Sequence, residues 1–215
     1  MTISIIVTVI AAYLIGSVNF AVIFVRAFIK RDVRELGSGN AGATNVLRNA
    51  GLLPGILTFV LDALKGFVAA YIGKVVFDYV YGITGNELTN GIIGAYACGL
   101  FCMLGHVFPF FFDFKGGKGV AICVGIFAVC SPIAIICGLA VFTGVTLISK
   151  YVSLGSVSAT VTVVLLASIL ADKNVLLLPQ IILALLMGVI IIVKHMDNIK
   201  RLLSGTESKI KIGGK

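Results

Sequence analysis

Residues 3–25 read ISIIVTVIAAYLIGSVNFAVIFV, an apolar stretch without a charged side chain. A helix needs about 20 predominantly apolar residues to cross the hydrocarbon core of a bilayer. This stretch is longer than the apolar core of a signal peptide and lacks a basic start, so we expect it to be retained. It predicts a membrane-spanning helix.

The remaining chain repeats this pattern. Of its 215 residues, 59% are hydrophobic and only 12% are charged, which leaves too little polar sequence for a separate soluble domain. We therefore expect a single integral membrane domain over residues 1–215. Further spans are expected at residues 52–73, 89–109, 132–148, 152–171 and 176–193.

Residues 119–130 are apolar but short, because 12 residues rise only about 18 Å as a helix. They form either a thin span or a re-entrant hairpin together with residues 132–148. The prediction is an all-α, polytopic bundle with about seven transmembrane helices, or five plus that hairpin. Both totals are odd, so the two ends of the chain are expected on opposite sides.

The net charge of +8 is distributed as in an oriented membrane protein. Most of the 17 lysines and arginines fall in residues 26–48, 115–118, 150 and 194–215, between apolar runs. The positive-inside rule then places the N-terminus outside and the C-terminus in the cytoplasm. A nucleic-acid partner is not expected, because no solvated basic face with aromatic residues is present.

A polar, glycine-rich loop at residues 37–48 reads GSGNAGATNVLR. Exposed backbone N–H groups, small side chains and an arginine are the features that phosphate-binding loops use. We expect Ser38 or Thr44 to cap the following helix, whose positive end then faces the anion. Arg48, one turn after Thr44, is expected to point back at the same anion. The alternative is a flexible connector with a helix cap.

A second loop of this kind reads FKGGKG, at residues 114–119. Its glycines allow close approach of an anion, and Lys115 or Lys118 supplies a positive charge. The GxxxxGK[ST] spacing is missing, since Val120 follows the last glycine, so nucleotide hydrolysis is not predicted. His106, at the end of the preceding span, is expected to be structural.

Further polar residues lie near the expected cytoplasmic ends of the last spans. His195 and Asn198 are three residues apart on one helical face, so both can reach a single ligand. Ser153 and Ser156 are expected either to line a site or to cap a helix. Glu207, one of nine acidic residues, is expected to tether the basic loops.

Charged residues and cysteines inside the expected spans are assigned structural roles. Asp62 and Lys65 are three residues apart, so they can neutralise each other on one helical face near a polar cavity. The five cysteines lie in or beside apolar stretches without a CxxC motif. We expect neither a disulfide nor a metal site.

Four segments of the chain resemble the signature segments of the acylphosphate:glycerol-3-phosphate acyltransferase (PlsY) family. In chain order they are GSGNAGATNVLR, GHVFPFFFDFKGGKGVA, KYVSLGS and KHMDNIKRLLSGTE, and the likeness covers essentially the whole chain. The resemblance implies a multi-pass enzyme of the bacterial inner membrane with its active site on the cytoplasmic side. The enzyme would transfer a fatty acyl group from acyl phosphate to the sn-1 hydroxyl of glycerol 3-phosphate. The products would be lysophosphatidic acid and phosphate, in the first acylation step of phospholipid synthesis.

The resemblance also implies roles for residues of this sequence. The candidate catalytic residues are His195, Asn198, Arg48, Lys115 and Lys118. The candidate residues for binding substrate phosphate are Ser38, Gly39, Asn40, Thr44, Asn45, Arg48, Gly116, Gly117, Lys118, Gly119, Ser153 and Ser156. His106, Arg201 and Glu207 are expected to support the site. No cofactor and no metal ion is implied.

This chemistry agrees with the residues present. An acyl phosphate is already activated, so an acyl-enzyme nucleophile is not required, and catalysis is expected from positioning and charge neutralisation. His195 is the candidate general base, and the departing phosphate is the alternative proton acceptor. The expected partners are the two substrates and the lipid bilayer, and no oligomeric state follows from the sequence. The alternative function is a transporter or channel for phosphorylated small molecules, which should carry polar residues at mid-membrane on several spans.

Overall fold

The structure, a computed structural model, describes residues 2–210, so Lys211 and Lys215 of the predicted basic tail lie outside the described residues. Within the described range the chain forms α-helices and short 3₁₀ turns and no β-strand, as predicted. The helices are α1 (Thr2–Ser17), α2 (Phe20–Ile29), α3 (Ala43–Ala50), α4 (Leu52–Thr84), α5 (Gly91–Val107), α6 (Val120–Cys130), α7 (Pro132–Ser149), α8 (Val152–Ile169), α9 (Leu177–Lys194) and α10 (Met196–Leu203). The 3₁₀ turns are Val33–Glu35, Glu87–Thr89 and Phe110–Phe112.

Six segments of the described chain are long and apolar enough to cross a membrane. They are Thr2–Ile29, Leu52–Thr84, Gly91–Phe112, Pro132–Ser149, Val152–Ile169 and Leu177–Lys194. The first of them is interrupted at Val18 and Asn19, where α1 ends and α2 begins. The side chain of Asn19 caps α2, because its Oδ1 accepts a hydrogen bond from Val22 N at 3.2 Å. This interruption leaves the carbonyl of Val18 without its helical partner and available to another donor.

The second span is longer than predicted. We expected it to end at Gly73, but α4 continues to Thr84 and ends at Gly85, which has the left-handed conformation. Gly73 is a packing position, since a Cβ there would overlap the carbonyl oxygen of Gly94 on α5. Small residues at such crossings let two helix backbones approach closely.

Helix α5 lies at the centre of the bundle, between α1, α4, α6 and α9. Its Gly105 faces the backbone of Tyr13 on α1, at a distance that leaves no room for a side chain. Tyr96 is buried on α5 and meets Phe127 of α6 edge to face, with ring centroids 6.0 Å apart. The contact of Gly105 thereby holds the C-terminal end of α5 against α1, next to the polar segments that follow it.

The short helix α6 packs mainly against α4 and α5, and α7 packs mainly against α8. A re-entrant hairpin would instead place α6 and α7 against each other along their length. The packing therefore does not form that hairpin, and α6, with 11 residues, is shorter than the six candidate spans of the described chain. All five cysteines have free thiols, and Cys98, Cys102 and Cys123 are buried.

Candidate active site

The first glycine-rich loop is shaped by one buried asparagine. Asn45 lies in the first turn of α3 and is only 3% exposed. Its Oδ1 accepts a hydrogen bond from Ser38 N at 3.2 Å. Its Nδ2 lies 2.9–3.1 Å from three backbone carbonyls, those of Val33, Leu36 and Asn40. Asn45 therefore holds the loop in shape, while Ser38 and Gly39 remain exposed at its surface.

The start of α3 has no side-chain cap. Gly42 occupies the N-cap position, and Thr44 lies within the first helical turn. The predicted cap by Ser38 or Thr44 is therefore wrong, because the asparagine network places Gly42 at the helix entrance instead. An uncapped helix start keeps its first N–H groups available for an anion. Arg48 is exposed and donates from Nη2 to the carbonyl of Ser208 at 3.1 Å.

The second glycine-rich loop is fixed to the end of α5 by its backbone. Gly116 N donates to Val107 O at 3.2 Å, and Gly117 N donates to His106 O at 3.1 Å. Gly119 has a φ of 91° at the start of α6, a conformation that favours glycine. The loop is therefore a rigid turn that presents its two lysines at defined positions.

The two lysines of this loop lie in different surroundings. Lys115 is exposed and lines a polar cavity of about 510 Å³ together with Gly39 and Gly116. Both glycine-rich loops thus contribute to this cavity, and Lys194 lines it as well. Lys118 is half-buried and contacts Asn198 Oδ1 of α10. The spacing of the motif did not predict this separation, because it depends on the turn between the lysines.

Glu207 joins the segments that surround Lys118. Its Oε1 accepts a hydrogen bond from Ser153 Oγ at 2.7 Å and one from Asn198 Nδ2 at 2.7 Å. Its Oε2 accepts a hydrogen bond from Arg201 Nε at 2.7 Å. Glu207 thus joins α8 to α10 and does not itself bond either glycine-rich loop, so the predicted tether of the basic loops stays a prediction. We call the network of Lys118, Ser153, Asn198, Arg201 and Glu207 the Lys118 cluster.

Burial and neighbouring charges shift the pKa values of Lys118 and Glu207 in the Lys118 cluster. Burial, together with the nearby Arg201 guanidinium, lowers the pKa of Lys118 to about 8. Burial raises the pKa of Glu207, but hydrogen bonds from Ser153, Asn198 and Arg201 outweigh that effect and hold the pKa below its ordinary value. A half-buried ammonium attracts an incoming phosphate more strongly than a fully solvated one does, because the effective dielectric constant around it is lower.

His195 lies between α9 and α10 with one defined tautomer. The residue is only 4% exposed, and its Nδ1 is 2.8 Å from the carbonyl oxygen of Ile191. A carbonyl accepts hydrogen bonds only, so Nδ1 carries the proton and Nε2 of the neutral ring keeps a lone pair. Burial lowers the pKa of His195 to about 4, and Lys118 contributes in the same direction. The imidazole is therefore neutral at pH 7.

An apolar cavity of about 80 Å³ lies among α4, α6, α7, α8 and α9, and none of its lining residues belongs to the Lys118 cluster. At its near end lie Val120, two residues after Lys118, and Ile191, whose carbonyl binds His195. The cavity continues between α6, α7, α8 and α9 as far as Phe127.

Ser156, a predicted phosphate-binding residue, donates a hydrogen bond from its hydroxyl to Val152 O at 2.9 Å within its own helix.

The predicted pair of Asp62 and Lys65 is present and is joined by His106. Lys65 Nζ lies 2.7 Å from Asp62 Oδ1 and 3.2 Å from His106 Nδ1. Asp62 is 1% exposed, Lys65 5% and His106 4%. We call these three residues the buried triad.

Sequence reasoning missed one ion-pair network beside the first loop. Asp32 pairs with Arg26 and Arg34, whose guanidinium groups hold the pKa of its carboxyl well below the ordinary value. Arg34 also donates to the carbonyl of Phe112 at 2.9 Å and so links the first loop to the segment before the second. The run of charges at residues 30–35 indicates such a network in the sequence. The positive-inside rule uses only its basic residues, as determinants of the orientation of the protein in the membrane.

Comparisons with known proteins agree with this arrangement. The glycerol-3-phosphate acyltransferase family profile matches residues 6–205. A glycerol-3-phosphate acyltransferase 2 of Bacillus anthracis is 41% identical, over 95% of this chain and 98% of the relative. A glycerol-3-phosphate acyltransferase of Thermoanaerobacter sp. (strain X514) is 44% identical, over 94% of each chain.

Solved structures match the fold as well as the sequence. A crystal structure of PlsY, an integral membrane glycerol 3-phosphate acyltransferase, in its glycerol 3-phosphate form superimposes with a TM-score of 0.82. It is 37% identical to this chain and covers 97% of it and 96% of its own length. The lysophosphatidic acid form superimposes with a TM-score of 0.80 at 36% identity, over 97% of this chain and 96% of that one. The chain therefore belongs to the glycerol-3-phosphate acyltransferase family of multi-pass membrane enzymes.

Proposed function

We propose that this enzyme transfers a fatty acyl group from acyl phosphate to the sn-1 hydroxyl of glycerol 3-phosphate. The products are lysophosphatidic acid and inorganic phosphate. The glycerol 3-phosphate and lysophosphatidic acid forms of the solved relative support the acceptor and the product. The donor is inferred from the site of this chain.

The observation that carries the proposal is that Val120, two residues after Lys118, lines an apolar cavity. An acyl phosphate has an anionic head and a fatty tail, so it needs a cationic site that continues into an apolar one. Lys118 contacts Asn198, and Arg48 bonds the carbonyl of Ser208, the residue after Glu207. Val120 and Ile191 line the apolar cavity. We therefore assign the donor phosphate to Lys118 and Arg48, and the first methylenes of the acyl chain to the cavity.

The open polar cavity suits the water-soluble acceptor. Lys115 and Lys194 supply positive charge there, and Gly39 and Gly116 allow close approach of the backbone. The other charged residues that line this cavity are Asp32, Arg34, Glu35 and Asp113. We assign the phosphate of glycerol 3-phosphate to this cavity. Asn198 would then orient the acceptor hydroxyl towards the Lys118 cluster.

The reaction needs one proton acceptor and one leaving group. The sn-1 hydroxyl oxygen attacks the acyl carbonyl carbon, the bond from that carbon to the phosphate oxygen breaks, and phosphate leaves with the bonding electrons. Nε2 of His195 accepts the hydroxyl proton. The pKa of His195 is lowered partly by Lys118, so a bound phosphate that neutralises Lys118 moves that pKa back towards neutrality, which suits a general base.

We place this single domain in the bacterial inner membrane, with the site on the cytoplasmic side. The basic residues near both glycine-rich loops support this orientation through the positive-inside rule. The water-soluble acceptor would reach the site from the cytoplasm, and the donor would reach it from the bilayer.

The test is acyl transfer by the purified protein in lipid vesicles. With palmitoyl phosphate and glycerol 3-phosphate, we expect lysophosphatidic acid and phosphate to form in equal amounts. Palmitoyl-CoA in place of palmitoyl phosphate is expected to give no product. Transfer from palmitoyl-CoA alone would refute the donor, and lysophosphatidic acid acylated only at the sn-2 hydroxyl would refute the regiochemistry.

Lys118→Met and Lys115→Met form a matched pair for the two phosphate assignments. Removing one preorganised charged donor typically costs about 10²–10³-fold in rate. We expect Lys118→Met to lose kcat by that factor and to raise KM for palmitoyl phosphate. Lys115→Met is expected to raise mainly KM for glycerol 3-phosphate. The opposite pattern in steady-state kinetics would exchange the two assignments.

A further inference from the structure

The buried triad lies directly beneath the second glycine-rich loop. Asp62 and Lys65 are on α4, and His106 is in the last turn of α5. All three side chains are almost fully buried, and His106 Nδ1 is 3.5 Å from Asp62 Oδ1. The triad therefore links two membrane-spanning helices at the end where the candidate site lies.

The two charged partners of His106 both lie at its Nδ1 atom. Lys65 Nζ carries three protons and faces three polar atoms: Val18 O at 2.6 Å, Asp62 Oδ1 at 2.7 Å and His106 Nδ1 at 3.2 Å. The carbonyl of Val18 is available because the first span is interrupted there. His106 Nδ1 therefore faces both charged groups of the triad, which hold the imidazole in its orientation.

The Nε2 side of this ring supports the second loop. A Cβ on Gly117 would overlap His106 Nε2 and would lie 2.9 Å from Ala41 O of the first loop. Gly117 is therefore held between the imidazole and the first loop, and its N–H is bonded to His106 O at 3.1 Å. A rotation of the ring would displace Gly117, and with it the neighbouring Lys118.

A buried ion pair by itself is weak evidence for a contribution to stability. Well-packed apolar residues of similar volume often replace such a pair without loss of stability, whereas removing a single partner is strongly destabilising. The position of the triad, against the backbone of a glycine-rich loop, points to a different use.

We propose that Asp62 and Lys65 are positioning residues that act through His106 to fix the loop at residues 115–119. By orienting the imidazole they set the place of Gly117, and so the distance between the Lys118 ammonium and its anionic ligand. The kinetic part of this inference rests on the proposed function. Its structural part does not, because the order of the loop can be measured without substrate.

The test compares variants that keep the bundle folded. In Asp62→Asn/Lys65→Met both charges are removed together, which avoids an unpaired buried charge. Thr58→Val is the matched control, since Thr58 is buried one turn earlier on α4 and bonds only Pro54 O. The readouts are thermal unfolding, hydrogen exchange of the Gly116 and Gly117 amides, and kcat and KM.

We expect the double variant to unfold within a few degrees of the wild type while both amides exchange at least about 10-fold faster. Misplacing a binding group by about 1 Å can reduce rate by about 10²-fold, so kcat/KM for acyl phosphate should fall between about 10- and 100-fold. The Thr58→Val control should match the wild type in all three readouts. Wild-type exchange and kinetics in the folded double variant would overturn the proposal.

His106→Asn keeps the proposal testable if the double variant does not fold. The asparagine Oδ1 can replace Nδ1 as the partner of Lys65 and preserve the ion pair, but no ring remains to support Gly117. We expect the same increase in exchange and the same fall in kcat/KM. Wild-type values would refute the proposal, and failure of both variants to fold would make the triad a stability element, which equally ends it.

If the wild type has no acyl phosphate activity, the proposed function fails, whereas the exchange comparison still decides the positioning role.

Discussion

At the scale of single residues, His195 combines burial with a fixed tautomer. Its Nδ1 donates to Ile191 O at 2.8 Å, which leaves Nε2 free to accept a proton. General acid–base catalysis typically contributes about 10²–10⁴-fold to rate. We expect His195→Ala to lower kcat by that factor with a smaller change in KM, as measured by release of phosphate.

The control for this variant is Lys200→Ala, an exposed residue of α10 that is expected to leave both constants unchanged. A rise in KM with an unchanged kcat would show that His195 only binds substrate. The departing phosphate would then be the proton acceptor.

Glu207 contributes pH-dependent stability. Its pKa in the folded protein is held below the ordinary value of 4.5, so its contribution is present above about pH 4.5 and is lost as the pH falls through the folded value. Hydrogen bonds to charged groups contribute about 1.5–3 kcal/mol each before solvent exposure weakens them. We expect Glu207→Gln to lower the unfolding temperature at pH 7 and to approach the wild type in acid.

Glu87→Gln is the matched control for this prediction. Glu87 is an exposed carboxylate whose Oε1 accepts from Tyr81 OH at 3.1 Å. It should leave the unfolding temperature unchanged across the same pH range. A difference between Glu207→Gln and the wild type that grows in acid would contradict the assigned sign.

At the scale of helices, α6 determines the depth of the apolar cavity. Seven residues separate Val120 at its near end from Phe127, which corresponds to about 10 Å of helix. Phe127 is 1% exposed and its ring packs on Tyr96, so it closes this side of the cavity. Under the proposed function, Phe127 limits the length of acyl chain that fits.

We therefore expect Phe127→Ala to shift the preference towards longer acyl phosphates. Each additional methylene that enters the enlarged cavity contributes about 0.8 kcal/mol. The measurement is the ratio of kcat/KM for stearoyl and dodecanoyl phosphate, which cancels any loss of folded protein. Leu165→Ala, a lipid-facing truncation on α8, is the control. An unchanged ratio in Phe127→Ala would exclude this residue as a determinant of chain length.

The helices were largely predictable because apolar length is a property of the sequence itself. The end of α4 was not predictable, since Gly73 terminates a helix in one context and permits close packing in another. The break at Val18 and Asn19 was also missed. Its signal was a single asparagine in an apolar run, and the break is completed by Lys65, which lies far away in the sequence.

The site was predictable to the extent that its residues lie in contiguous motifs. Asn198 and Glu207 were predicted from one segment, and the hydrogen bond between them is present at 2.7 Å. The contact between His106 and Gly117 was not predicted, because it depends on how α5 meets the loop that follows it. The apolar cavity was missed for the same reason, since its lining residues do not differ from ordinary lipid-facing ones.

At the scale of the whole molecule, orientation in the membrane remains a prediction from charge. Ser38 and Lys173 are both exposed and lie on loops expected on opposite sides. With the native cysteines replaced by alanine, Lys173→Cys should react with a membrane-impermeant maleimide in intact cells. Ser38→Cys should react only after the cells are opened. Labelling in the reverse order would invert the predicted topology.

Glu207 also has a consequence for biosynthesis. It follows all six candidate spans of the described chain, yet it holds Ser153 at the start of α8 and Asn198 in α10. Glu207 is therefore synthesised after both helices that it connects, and it leaves the exit tunnel after them. During translation the bundle can insert while the Lys118 cluster is still open, so catalytic competence should follow insertion as a separate, later event.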